Sequence, residues 1–176
     1  MIAQPLIKNR RRDAMEMETL QDLYVSELKD LYSAENQLVK AIPKMIKATT
    51  HKQLKAAFQD HLKKTQEHVR RLERVCKELG VSPRGKKCEG MEGLIKEAAG
   101  LIKEKPEKDV LDAGLIAAAQ HVEHYEMAGY GCVRTYARTL GFTAQADILQ
   151  RTLDEEGEAD HLLTAIAETA INLDAE

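Results

Sequence analysis

The chain has 176 residues, 43% hydrophobic and 31% charged, which suits one soluble globular domain with a sizeable core. Its formal net charge of −3 supplies no global field to recruit nucleic acid. No apolar run approaches the ~18 residues of a membrane span, and the N-terminus lacks the apolar core of a secretion signal.

Aromatic residues are only 4%, Trp is absent, and Ala, Leu, Lys and Glu are plentiful, which is the composition of helices. Cys76, Cys88 and Cys132 are odd in number and form no CxxC, so free thiols in a reducing cytoplasm are expected.

Residues 1–17 read as a disordered N-terminal extension, whose basic run Lys8, Arg10, Arg11 and Arg12 is short and isolated. Residues 18–176 read as one helical bundle domain. Thr19 is a plausible N-cap for a first long helix from Leu20 to about Ala48, with Pro43 expected to kink it near its end. Its inward stripe is Leu28, Leu31, Tyr32, Glu35, Leu38, Val39 and Ile42. Thr49 and Thr50 make a tight turn and cap. A second helix, His51 to Leu79, follows with the stripe Leu54, Phe58, His61, Thr65, His68, Leu72 and Val75, and Gly80 ends it.

SPRGKKCEG then reads as loop, MEGLIKEAAGLIKEK as a shorter amphipathic helix, and Pro106 as its stop. The third long helix contains DAGLIAAAQHVEHYEMAGYG and runs to about Leu140, with Gly141 beyond it. Its stripe is Ile116, Ala119, Glu123, Glu126, Tyr130, Val133 and Ala137. Thr143 is expected to cap the fourth helix, with the stripe Leu149, Leu153, Glu156, Asp160, Leu163, Ala167 and Ala170. Gly157 inside it costs ~1 kcal/mol relative to Ala and hints at an irregularity beside Glu156. Two tight hairpins joined by one long crossover carrying a short extra helix describe an all-α, ferritin-like four-helix bundle.

Ionisable residues interrupt all four apolar stripes at one height. Each lies within about four residues, or ~6 Å of axial rise, of the midpoint of its helix. Carboxylates are almost never fully buried unless paired, and desolvating one without a partner costs several kcal/mol. Carboxylates and imidazoles converging in a bundle core point to a first-row metal site. Oxygen-rich ligands with one or two nitrogens suit Fe or Mn better than structural Zn. Two divalent ions would neutralise four carboxylates, although one ion remains open. The candidate ligands are Glu35, His61, Glu123, Glu126, Glu156 and Asp160.

Ordinary alternatives stand beside them: an interhelical hydrogen bond for Glu126 or Asp160, or a satisfied core histidine for His61. His68 stands among the ionisable residues on the second stripe, but a solvent-facing place beside Glu67 is its ordinary alternative, and it is left out of the ligand set. His121, His124 and His161 are read as outward. Tyr32, Thr65 and Tyr130 are candidates for orienting the ligands from outside, with core packing as the alternative for the tyrosines.

LYSAENQL around Glu35, AFQDHLKKT around His61 and Thr65, CEGMEGLIKEA in the crossover, LIAAAQHVEHYEMAGYG and LDEEGEAD resemble the YciF family of bacterial stress proteins, over nearly the whole chain after residue 17. The resemblance implies a ferritin-like, rubrerythrin-related bundle, a homodimer, and expression under general, osmotic or oxidative stress. It supplies no reaction. Ferritin-like di-iron sites use a Glu from each of two helices and a Glu-x-x-His from each of the other two. Glu35 and Glu123 fit the single-Glu roles. The second helix instead reads Thr65-x-x-His68, and the fourth reads Glu156-x-x-Ala159, with Asp160 as a possible substitute. A literal Glu158-x-x-His161 falls off the inward stripe.

Three functions follow as alternatives: a di-iron or manganese oxidoreductase acting on peroxide or oxygen, a metal-sequestering protein, and a structural bundle with a vestigial carboxylate cluster. The first requires an external electron donor, because the chain has no rubredoxin-like four-cysteine module. No GxSxG or P-loop supports other chemistry. Expected partners are a second copy of the chain, with no nucleic acid and no membrane.

Overall fold

A computed structural model describes residues 17–176, so the expectation for the N-terminal extension falls almost wholly outside the described residues. The elements are α1 (Leu20–Ala48), α2 (Lys52–Glu78), α3 (Glu89–Glu104), α4 (Lys108–Thr139), α5 (Thr143–Ile166), a π-helical turn (Ala167–Ile171) and a last short turn, α6 (Asn172–Asp174). Among the described residues there is no strand. No helix among them is long and apolar enough to cross a membrane.

The helix ends follow local chemistry. Thr19 opens α1 with a capping box: its Oγ1 accepts from Asp22 N at 3.1 Å while Asp22 Oδ2 accepts from Thr19 N at 3.0 Å. The helix then continues through Pro43 to Ala48. Gly80 and Gly141 adopt φ of 70° and 80°, the left-handed conformation that closes α2 and α4. There Val81 N donates to Cys76 O at 3.0 Å and Phe142 N to Ala137 O at 2.8 Å, the six-to-one bond of a Schellman cap.

Several caps differ from expectation. His51, not Thr50, caps α2, its Nδ1 accepting from Leu54 N. Thr143 is the first residue of α5 rather than its cap. Cys88 caps α3 through its sulfur. Thr50 is recruited elsewhere. The buried Asp112 of α4 accepts from Thr50 N, Thr50 Oγ1 (2.7 Å) and His51 N (2.8 Å), and so fastens the start of α4 to the α1–α2 turn.

That contact fixes the topology. α4 begins where α1 ends, so the crossover runs the length of the bundle and α4 lies parallel to α2. α1 packs against α2 and α4, and α5 packs against α2 and α4, which leaves α1 and α5 diagonal. The result is the four-helix bundle with one long crossover anticipated from the loop lengths. α3 lies along α1 and α4. Its cap is pinned there: Cys88 N donates to Ser33 Oγ at 2.9 Å, Cys88 Sγ lies 2.9 Å from Tyr125 Oη, and Tyr125 donates to Asp30 at 2.9 Å. Gly129 permits close contact between α4 and α1, since a Cβ there would stand 2.8 Å from Leu31 Cδ2.

The apolar core is split in two. One part, toward the α1–α2 turn, gathers Leu38, Ile42, Leu54, Phe58, Leu115, Ile116 and Leu163. The other, toward the α4–α5 turn, gathers Tyr24, Leu28, Leu72, Val75, Val133 and Leu149. Between them lies a polar layer. The irregularity expected beside Gly157 is absent; α5 is regular there, and the π turn comes ten residues later.

Candidate metal centre

The polar layer contains four carboxylates and two imidazoles. Glu35 comes from α1, His61 and His68 from α2, Glu123 and Glu126 from α4, and Glu156 from α5. Glu35, His68 and Glu156 are fully buried, and Glu123 and Glu126 nearly so. His61 keeps 11% of its side chain exposed. The stripe periodicity accounts for this: residues three, four and seven apart on one helix share a face, and here that face points at the bundle axis.

The donor atoms form two overlapping groups. His61, Glu123, Glu126 and Glu156 each offer an atom within 4.8 Å of the others, and so do Glu35, His68 and Glu156. Glu156 belongs to both. His61 Nε2 lies 3.3 Å from Glu123 Oε1. His68 Nδ1 lies 2.9 Å from Glu156 Oε1 and 3.4 Å from Glu35 Oε1. Despite these distances His68 Nδ1 makes no aligned hydrogen bond, and neither do both oxygens of Glu156, both of Glu126, Glu35 Oε2 and Glu123 Oε2. Donors that share an ion at roughly 2.0–2.2 Å and a right angle sit about 3 Å apart without pointing at each other. The layer therefore fits a metal in donor type and spacing, with several of its donor atoms free of any aligned hydrogen bond.

Electrostatics agree. Burial drives Glu123 and Glu126 well above the usual carboxylate range, and the neighbouring carboxylates add to it. Burial also raises Glu35, against the pull of His68 and Tyr130. Burial pushes His61 down. It pushes His68 the same way, but Glu156 and Glu35 outweigh it and hold that imidazole above its ordinary range. Glu156 is lowered because His68 overcomes its desolvation. Without a metal, protons must stand in for the missing positive charge, chiefly on Glu123, Glu126 and His68.

Groups around the layer set its orientation. Tyr130, fully buried, donates to Glu35 Oε1 at 2.5 Å. Glu155 holds His68 Nε2 at 2.8 Å and is itself gripped by both terminal nitrogens of Arg71, at 2.7 and 2.9 Å. A carboxylate on the far nitrogen of a ligating histidine fixes its tautomer and raises its basicity.

Of the expected ligands, Glu35, His61, Glu123, Glu126 and Glu156 come together. Asp160 does not: it accepts from Gln120 Nε2 at 3.1 Å and lies 3.4 Å from His124 Nε2, on the flank of α5 toward α4. One turn past Glu156 the inward sector is shared by residues 159 and 160, both half-buried, and Ala159 rather than Asp160 lines the space beside His61 and Glu123. His68, expected at the surface, is buried at the centre, as its place on the α2 stripe required. Tyr32 points away and donates to Glu73 at 3.0 Å. Thr65 is buried, but its hydroxyl is spent on His61 O of its own helix at 3.0 Å. Tyr130 alone of the three bonds to a candidate ligand, Glu35. His121, His124, Glu158 and His161 are exposed, as expected. Sequence reasoning missed Glu155; its reach to His68 depends on Arg71 from the facing helix.

Residues 19–176 match a family described as a domain of unknown function, DUF892. The chain is 42% identical over 163 residues to the protein YciF of Escherichia coli (strain K12), covering 92% of this chain and 98% of that one. The chain belongs to the YciF family. Two solved structures bear out the family fold. The crystal structure of the E. coli stress protein YciF superposes with a TM-score of 0.85 at 42% identity, over 89% of this chain and 99% of that one. YcfI from Rhodopseudomonas palustris gives 0.83 at 41%, over 86% and 97%. A more distant protein of Xanthomonas campestris pv. campestris, at 22% identity and a TM-score of 0.72 over 88% and 95%, shares the fold alone.

Proposed function

We propose that this member of the YciF family is a cytoplasmic stress-response protein, homodimeric, that holds one or two iron or manganese ions in its mid-bundle layer and presents them to peroxide or oxygen. One observation carries the reading. Glu126 is 1% exposed, both its carboxylate oxygens lack a hydrogen-bond partner, and among the described residues no cation pairs with it. A charged carboxylate so placed costs several kcal/mol unless a metal or a proton compensates.

His61, Glu123, Glu126 and Glu156 would hold one ion; Glu35 and His68 would hold the other, with Glu156 shared. When bound, such ions supply Lewis acidity and a one-electron couple. The chain's own residues tune the site: four carboxylates favour the higher oxidation state by their charge, Tyr130 aims Glu35, and the Arg71–Glu155 pair fixes the His68 ring. The two apolar cores on either side keep bulk water away. Electrons must come from a separate donor. The stress role rests on the E. coli relative, which is named a stress protein.

Calorimetric titration of the metal-free protein with Fe(II) or Mn(II) tests the assignment. Wild type is expected to bind one or two equivalents, and Glu123→Ala to lose affinity by at least tenfold. Identical stoichiometry and affinity in the two proteins would overturn the placement of the site in this layer, and no binding to wild type would leave a metal-free structural bundle.

A further inference from the structure

Beside the centre lies a cavity of about 40 Å³. Its walls come from all four long helices and include Ile42, Phe58, Ala119 and Leu163; Leu162, 46% exposed, stands at its mouth. Only two residues of its lining bring polar side chains, His61 and Glu123, and each carries a buried atom without a hydrogen-bond partner, His61 Nδ1 and Glu123 Oε2. Both belong to the group of donors that converges with Glu126 and Glu156.

The cavity has room for an occupant of two or three heavy atoms, since on this measure of volume a single water needs about 10–15 Å³. Its chemistry discriminates among such occupants. A water needs two to four polar partners, and hydrogen peroxide, with two hydroxyls, needs at least as many. The walls offer polar atoms at one end only. A small apolar molecule loses nothing on leaving water for such a space.

We propose that this cavity is the binding site for dioxygen beside the metal centre, with His61 and Glu123 as its polar end and Ala119 and Ala159 setting its width. The proposal rests on the metal reading and narrows it, favouring dioxygen over peroxide. The cavity opens onto the group formed by His61, Glu123, Glu126 and Glu156, so a bound gas lies against that half of the layer. Glu35 and His68 line no part of it.

Xenon, an apolar gas of suitable size, probes the cavity without metal or turnover. The metal-free full-length protein is crystallised and pressurised with xenon, and in parallel titrated with Fe(II). One ordered xenon against Phe58, Ala119 and Ala159 is expected, and Ala159→Leu should lose it; Ala57→Val, on another wall, provides a second variant should Ala159→Leu fold poorly. A protein that takes up metal but shows no xenon there overturns the proposal and leaves the metal reading standing. Xenon in the cavity of a protein that takes up no metal supports the gas site and overturns the metal reading.

Discussion

Glu126 combines a burial cost with no compensating contact, so its replacement should separate stability from metal binding. Glu126→Gln keeps the shape and removes the charge or the proton that must replace it. The metal-free variant is expected to be more stable than wild type by about 1–2 kcal/mol, and to lose most of the stabilisation that Fe(II) or Mn(II) gives wild type. Thermal melts of both proteins, with and without metal, check both halves. A quite different residue reports on pH. Burial raises the Cys76 thiol from 9.0 to about 11. A folded value above the unfolded one stabilises the fold below pH 9 and is lost as pH rises through 11. Denaturant melts of metal-free wild type should weaken over that window, and Cys76→Ala should lack this component. At neutral pH only Cys132, the exposed thiol, should alkylate in the folded protein. At this scale the sequence was legible wherever periodicity alone decides burial: Glu35, Glu123, Glu126 and Glu156 stand out as charges on apolar stripes. His68 was misplaced because imidazole suits both surface and core and Glu67 offers a surface partner. Asp160 was misplaced because two adjacent positions compete for one inward sector. Glu155 had no signal at all, since its role depends on a neighbour across the helix interface.

At the scale of elements, Asp112 joins three donors of the α1–α2 turn from a helix sixty residues away in sequence. Asp112→Ala leaves two backbone amides and a hydroxyl without their charged acceptor and should cost about 2–3 kcal/mol, read from denaturant melts; Asp112→Asn should cost less. Gly129→Ala tests the approach of α1 and α4. The alanine gains about 1 kcal/mol of helix propensity, but the new methyl meets Leu31, itself buried, and overpacking costs about 1–3 kcal/mol. A net loss is expected. Helix spans were legible because stripes, Gly80, Pro106 and Gly141 bound them locally. The N-cap of α1 was legible as well, in Thr19, but those of α2, α3 and α5 were not: His51, Cys88 and Phe142 are set by how neighbouring elements meet. The π turn was also hidden; it ends with Ile171 in the core where α-helical spacing favoured Ala170.

On the scale of the whole molecule, the expected homodimer is checked by light scattering, with a mass of twice 19.7 kDa as the outcome. The topology itself follows from two short turns and one long connection, which is why loop lengths sufficed to read it. The polar layer has a further property that comes from its address in that topology. Glu35, His61 and His68 belong to the first hairpin, whereas Glu123, Glu126 and Glu156 belong to the second. Neither hairpin owns the complete set of candidate ligands, and Asp112 already aligns one on the other without help from the crossover. A chain cut in the loop near Gly85 should therefore reassemble from two separately expressed fragments. Their association should tighten when Fe(II) or Mn(II) is added, because the ion would act as a rivet across the seam.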